Sequence, residues 1–113
     1  MGNETDKKAL KAQYKSRKVI GGVYGIRCAA ENALWLRATT DLAGAENRFA
    51  FSVMTNLCPE PIMAQAWKTH GAAAFSLEIF ETLQKQESQT DREFAQDIDT
   101  LLALWAEKTN TQP

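Results

Sequence analysis

The sequence predicts an α+β domain over residues 21–108: a small three-stranded antiparallel sheet flanked by helices, with an extra basic helix in residues 1–20 and a flexible tail in 109–113. Three observations carry this. Two short apolar runs, 22–26 and 34–39, flank the turn-prone Ala29-Ala30-Glu31-Asn32, the pattern of a hairpin. Phe75, Leu77 and Ile79 alternate with Ser76 and Glu78, a period of two that marks a half-buried third strand over about 75–80. Elsewhere apolar residues recur at three- and four-residue spacing, so helices cover the sheet, and tight hairpins favour antiparallel pairing.

In chain order, Asp6 can cap a helix over about 7–18, in which Leu10 and Tyr14 form a narrow apolar stripe. Lys7, Lys11, Lys15 and Lys18 share another face of it. Gly21 and Gly22 end that helix and open the hairpin, because consecutive glycines break helices. After Thr39 the period changes. Thr40 or Asp41 caps a helix over about 42–54 that turns Leu42, Ala45, Phe49 and Val53 to the sheet. Residues 55–59 form a loop, Pro61 suits a first helical position, and a short helix runs to His70 before Gly71, a natural C-terminal stop. The run 84–89 is polar throughout, hence a loop. Thr90 and Glu93 then make a capping box for a last helix with Phe94, Ile98, Leu101, Leu102 and Trp105 on one apolar face. It fades after Lys108.

The 113 residues, 44% hydrophobic and 24% charged, suit one domain with one core. No run approaches the roughly 20 apolar residues that cross a bilayer, and the polar N-terminus has no signal-like apolar region, so the expected location is the cytoplasm. Cys28 and Cys58 stand alone and His70 is the only histidine, so no soft-ligand zinc site assembles and both cysteines read as free thiols. Cys28 with His70 makes no thiol-enzyme motif, and Gly21, Gly22 and Gly25 lack the ending of a phosphate loop. His70 reads as a packed ring or a helix-dipole contact, and Glu78 and Glu81 as solvated strand-edge charges. The net charge of -1 hides an asymmetry: eight cations from Lys7 to Arg37 face Glu31 alone, whereas from Phe49 onward four cations face nine acids. The basic part either attracts a phosphate backbone or an acidic partner, or is a solvated face balanced by the acidic one.

These pieces resemble the GIY-YIG nuclease superfamily. Gly22-Val23-Tyr24 is similar to the first family motif, and Trp35-Leu36-Arg37 stands where the second falls, followed by Thr39 and Asp41-Leu42 in the family's spacing. Residues 66–71, then Phe75 and Glu78-Ile79, look like the family's helix ending in a glycine ahead of its third strand. The resemblance covers about 22–107. It implies an antiparallel three-stranded sheet between helices and a divalent metal, commonly Mg²⁺, held by a glutamate of the last helix. It also implies tyrosines from both motifs that position or activate water, and an arginine of the first family helix that stabilises the phosphate.

Taken residue by residue, Tyr24 matches the first motif's tyrosine. Trp35 stands in place of the second, and an indole N–H donates but neither takes up a proton nor carries a phenolate charge. Arg37 replaces the motif's glycine and either contacts phosphate or blocks the floor of the site. An ungapped match from Trp35 puts Ala45 at the family arginine's position, and Arg48 serves through a shift of about one turn. Counted back from Trp105, Leu102 falls where the glutamate belongs, and Asp99 offers a carboxylate only in another helix register. The resemblance therefore implies a candidate catalytic set of Tyr24, Arg48 and Trp35, with Asp99 for Mg²⁺ if the site is active, and the basic part of the chain adds Lys11, Lys15, Lys18, Arg27 and Arg37 as candidate nucleic-acid contacts. The expected function is a GIY-YIG-like domain with a degenerate active site that binds nucleic acid without efficient cleavage. The alternatives are a divergent metal-dependent DNA endonuclease using Tyr24, Arg48 and Asp99, and a protein-interaction module using the basic N-terminal helix. No membrane is expected as a partner.

Overall fold

The computed structural model describes residues 18–109; the expected N-terminal helix, with Lys11 and Lys15, and residues 110–113 lie outside them. Two strands form the hairpin, β1 (Ile20–Cys28) and β2 (Ala33–Thr39), and a third, β3 (Phe75–Gln84), pairs with the other edge of β1. All pairing is antiparallel in the order β2-β1-β3. Asn32, at φ 52°, turns the hairpin in the left-handed conformation that asparagine tolerates well.

β1 and β3 are longer than the apolar runs suggest. The polar segment Glu81–Gln84 continues β3 because residues 20–23 of β1 offer it an unpaired edge. Between Val23 and Tyr24 the register slips, leaving Phe80 as the extra residue of a bulge in β3. Gly21 and Gly22 are strand residues. A methyl group on Gly21 would strike the Thr39 carbonyl and meet Ile98 Cδ1 at 3.1 Å, and one on Gly22 would strike the Glu81 carbonyl. The pair is glycine because strands on either side approach closely, not because a helix has to stop there.

One sheet face carries Tyr24, Ile26 and Cys28 with Trp35, Arg37, Phe75 and Leu77. It is covered by α1 (Leu42–Thr55), a 3₁₀ turn (Pro61–Met63) and α2 (Ala64–His70), and its core gathers Ile26, Cys28, Met63, Ala66, Trp67 and Phe75. Asp41 caps α1 by accepting from the Gly44 N–H at 3.1 Å. The buried stripe of α1 is Leu42, Ala45 and Ser52 with Phe49 half-buried, whereas Val53 is 37% exposed. The helix is thus rotated by one position at its C-terminal end, and Ser52 is accommodated inside by donating to the Arg48 carbonyl at 3.1 Å. Gly71, at φ 81°, ends α2 with its N–H on the Trp67 carbonyl at 2.8 Å.

The other face, with Val23 and Leu36 fully buried, lies under α3 (Asp91–Thr109), which packs on β1 and β2. Both bonds of the expected capping box form: Glu93 accepts from the Thr90 N–H at 2.9 Å, and Thr90 accepts from the Glu93 N–H at 3.1 Å. Those bonds hold the Glu93 carboxyl below its ordinary range. Phe94 and Ile98 are the buried residues of α3, and Trp105 packs on Phe80 with ring centres 5.2 Å apart. Leu102 is half-buried. None of the described helices is long and apolar enough to cross a membrane.

Candidate functional site

Alternation along β1 sends Tyr24 to the α1 side of the sheet, directly across from Arg37 on β2 and two residues along from the position opposite Trp35. Tyr24 and Arg48 line one cavity of about 550 Å³ between β1, α1 and the loop that follows, together with Ile26, Phe51, Cys58 and Glu60. Ala45 lines it too, so the cation reaches this cavity from one turn farther along α1 than the ungapped match predicts.

The residue that sequence reasoning missed is Glu60. It precedes Pro61, in extended backbone at the start of the 3₁₀ turn, and its carboxylate accepts from one edge of the Arg37 guanidinium. Arg37 Nε donates to both carboxylate oxygens at 2.9 and 3.1 Å, and Nη2 donates to Oε1 at 2.7 Å. Arg37 Nη1 also donates to the Leu36 carbonyl at 2.6 Å, which fixes the plane of the guanidinium. A glutamate alone before a Pro in a loop carries no sequence signal; only the cross-strand position of Arg37 gives it a role.

The environment holds the Tyr24 phenol protonated. Burial raises its pKa above the ordinary tyrosine value, the Glu60 carboxylate raises it further, and Arg48 and Arg37 offset part of this. The folded state therefore binds the phenolic proton more tightly than the unfolded chain. That stability is complete below the unfolded value near 10 and is lost as pH rises through the raised folded value. We expect urea midpoints taken from about pH 9 to about pH 11 to fall less steeply in Tyr24→Phe than in the parent. Equal slopes would contradict the burial of this hydroxyl.

The other expected site residues lie apart from this cavity. Trp35 is half-buried and packs against the core beside Phe75, its ring centre 6.1 Å away and nearly parallel, so it acts as a wall. Arg27 alternates to the α3 side of β1 and pairs with Glu78 at 2.9 Å, so Glu78 is a solvated charge, 41% exposed, that also has a partner. Glu81 likewise accepts from Trp105 Nε1 at 2.7 Å. Lys18 is exposed at the start of the described chain and lines a separate groove with Val19 and Ile79. His70 lies in the last turn of α2, the position of the expected helix-dipole contact, and its Nε2 also meets Glu31 at 2.8 Å, tying the end of α2 to the hairpin turn. Cys28 and Cys58 are free, the first buried.

Asp99 is exposed on α3, the helix that covers the opposite sheet face, and does not line the cavity. A hard divalent cation wants several oxygen ligands. The cavity offers the Glu60 carboxylate, which Arg37 already neutralises, and Arg48 stands at the same cavity. Among the described residues no three His, Cys, Asp or Glu side chains cluster as metal ligands would. The side chains here do not fit the Mg²⁺ that the family resemblance implies.

No family sequence model matches the chain, and no curated protein matches it in sequence. Among solved structures it resembles the catalytic domain of the intron endonuclease I-TevI. A point mutant of that domain aligns at TM-score 0.57 and 16% identity over 83% of this chain and 86% of that one. A second structure, described as the catalytic domain of the homing endonuclease I-TevI, aligns at TM-score 0.52 and 20% identity over 80% of this chain and 88% of its own. Likeness at these identities is likeness of fold, and the hairpin that presents Tyr24 is the part the sequence resemblance had already singled out. The chain therefore has a GIY-YIG-like fold, distantly related in shape to a homing-endonuclease catalytic domain.

Proposed function

We propose that this domain binds nucleic acid at the Tyr24–Arg48 cavity and no longer cleaves it efficiently. The observation that carries the reading is β2: Trp35 packs half-buried against the core where the family resemblance asks for a tyrosine, and Arg37 is tied to Glu60 where it asks for a bare glycine. Tyr24, held protonated, is suited to donating a hydrogen bond to a phosphate oxygen rather than to accepting a proton from water. Arg48 supplies a cation at the same cavity, the feature a phosphate backbone needs. The two free thiols suit a reducing compartment, so the reading places the protein in the cytoplasm.

The test is incubation of the purified chain with supercoiled and single-stranded DNA in Mg²⁺ or Mn²⁺, alongside a mobility-shift titration. Expected are a shift at low salt that weakens steeply as salt rises, and no cleavage above background. Cleavage that vanishes in Tyr24→Phe would overturn the reading. It would favour the divergent nuclease, to which the shared cavity of Tyr24 and Arg48 gives its one structural support.

A further inference from the structure

We propose that Arg37, Arg48 and Tyr24 form a binding site for a phosphodiester anion that the chain's own Glu60 carboxylate occupies, so that Glu60 sets the affinity of the site. The inference rests on the nucleic-acid reading and names what regulates it.

A guanidinium fork binds carboxylate and phosphate oxygens with the same planar two-point geometry, so a carboxylate seated on it is a direct competitor for a phosphate. Arg37 is engaged this way, with three donor contacts of 2.7–3.1 Å to one carboxylate. The pair is not sealed in the core: the side chains are 23% and 30% exposed, so an anion arriving from solvent can reach Arg37 once Glu60 swings aside. The two ends of Glu60 are held differently. Its carbonyl accepts from the Met63 N–H and from the Cys58 thiol, both at 3.0 Å, which pins the backbone. Its carboxylate caps no helix, and every hydrogen bond drawn to it among the described residues comes from Arg37. The side chain is thus free to leave without unravelling the turn that carries it.

Charge bookkeeping agrees. With Glu60 in place, Arg37 is neutralised and Arg48 is the one cation among the described residues that lines the cavity; with Glu60 displaced, the guanidinium of Arg37, behind Glu60 at the cavity's edge, is freed as a second. The field of Glu60 also reaches Tyr24, on which it acts against the two arginines. The carboxylate is therefore inside the site electrostatically, in the position an incoming anion would take.

The experiment compares the parent with Glu60→Gln, which keeps size and shape and removes the charge. Inorganic phosphate is titrated while the Arg37 Nε–H resonance is followed, and a 15-nucleotide strand and its duplex are titrated by fluorescence anisotropy at several salt concentrations. Phosphate is expected to bind Glu60→Gln about five- to tenfold more tightly. Duplex binding is expected to tighten with a salt slope steeper by about one unit, since one more phosphate is neutralised. Adding Arg37→Gln to Glu60→Gln is expected to abolish the gain, read by anisotropy because the double variant has no Arg37 resonance, and Glu60→Ala carries the test should Glu60→Gln fold poorly. Unchanged or weaker phosphate binding in Glu60→Gln, or a gain that survives in the double variant, overturns the proposal. If phosphate binding tightens while neither oligonucleotide binds, the occupied anion site stands and the nucleic-acid reading fails.

Discussion

Phe94→Ala is expected to lower the unfolding free energy by about 3–5 kcal/mol, the usual cost of truncating a fully buried aromatic side chain without collapse of the space it leaves. Phe94 is 1% exposed and is the first buried residue of α3 after the Thr90–Glu93 capping box. It anchors the helix that closes the Val23 and Leu36 face of the sheet, which has no other described helix packed over it to the same extent. Domains of this size are stable by only about 5–15 kcal/mol, so the variant should melt far below the parent or fail to fold. A urea titration checks this: the midpoint should drop with the slope unchanged, which assigns the loss to the folded state. A loss under about 1 kcal/mol would mean that α3 is not part of the cooperative unit. The consequence for the site is indirect, because α3 holds β1 and β2 in register, and the register is what sets Tyr24 opposite Arg37.

Gly22→Ala is expected to cost at least about 3 kcal/mol, the upper range for forcing one extra group into a packed region. The added methyl group would collide with the Glu81 carbonyl, which is backbone and cannot swing away as a side chain end can. Relief requires that β3 move off β1 beside the bulge, where ladder bonds are already interrupted. Thermal melting of Gly22→Ala beside Gly44→Ala gives the comparison. At Gly44 the added methyl group would meet mainly the Asp41 carboxylate and Arg48 Nη1, side-chain ends that can yield, so a smaller loss is expected there. Equal losses would refute the argument from backbone approach. The result bears on function, since it would show that the glycine of the first motif serves the sheet rather than a substrate.

Much of this architecture is legible in the chain itself. The hairpin follows from two apolar runs around a turn, and α3 from a capping box and an apolar stripe, because these signals are local and each is set by a few neighbouring residues. The parts that differ are those whose partners lie far away in sequence. Glu81–Gln84 reads as the approach to a polar loop, yet it pairs with β1 because an edge of hydrogen-bonding groups is available there. Val53 reads as core and is partly exposed, since the direction of the α1 stripe depends on where α2 and β3 leave space. Glu78 and Glu81 read as solvated charges and have partners on β1 and α3, 51 and 24 residues away.

The site divides along the same line. Sequence alone determined that Tyr24 sits on a strand two residues after Gly22, that Trp35 cannot act as a tyrosine, and that Arg48 lies about one turn from the position the family resemblance marks. Those statements need only residue identity and spacing. Only the tertiary structure decided that Tyr24 and Arg48 share a cavity, that Arg27 belongs to the other face, that Asp99 is remote, and that Glu60 occupies Arg37. Each of these depends on which residues of distant segments come within a few ångströms. Charge and hydrogen-bond partners are set by that distance, and period and propensity do not encode it.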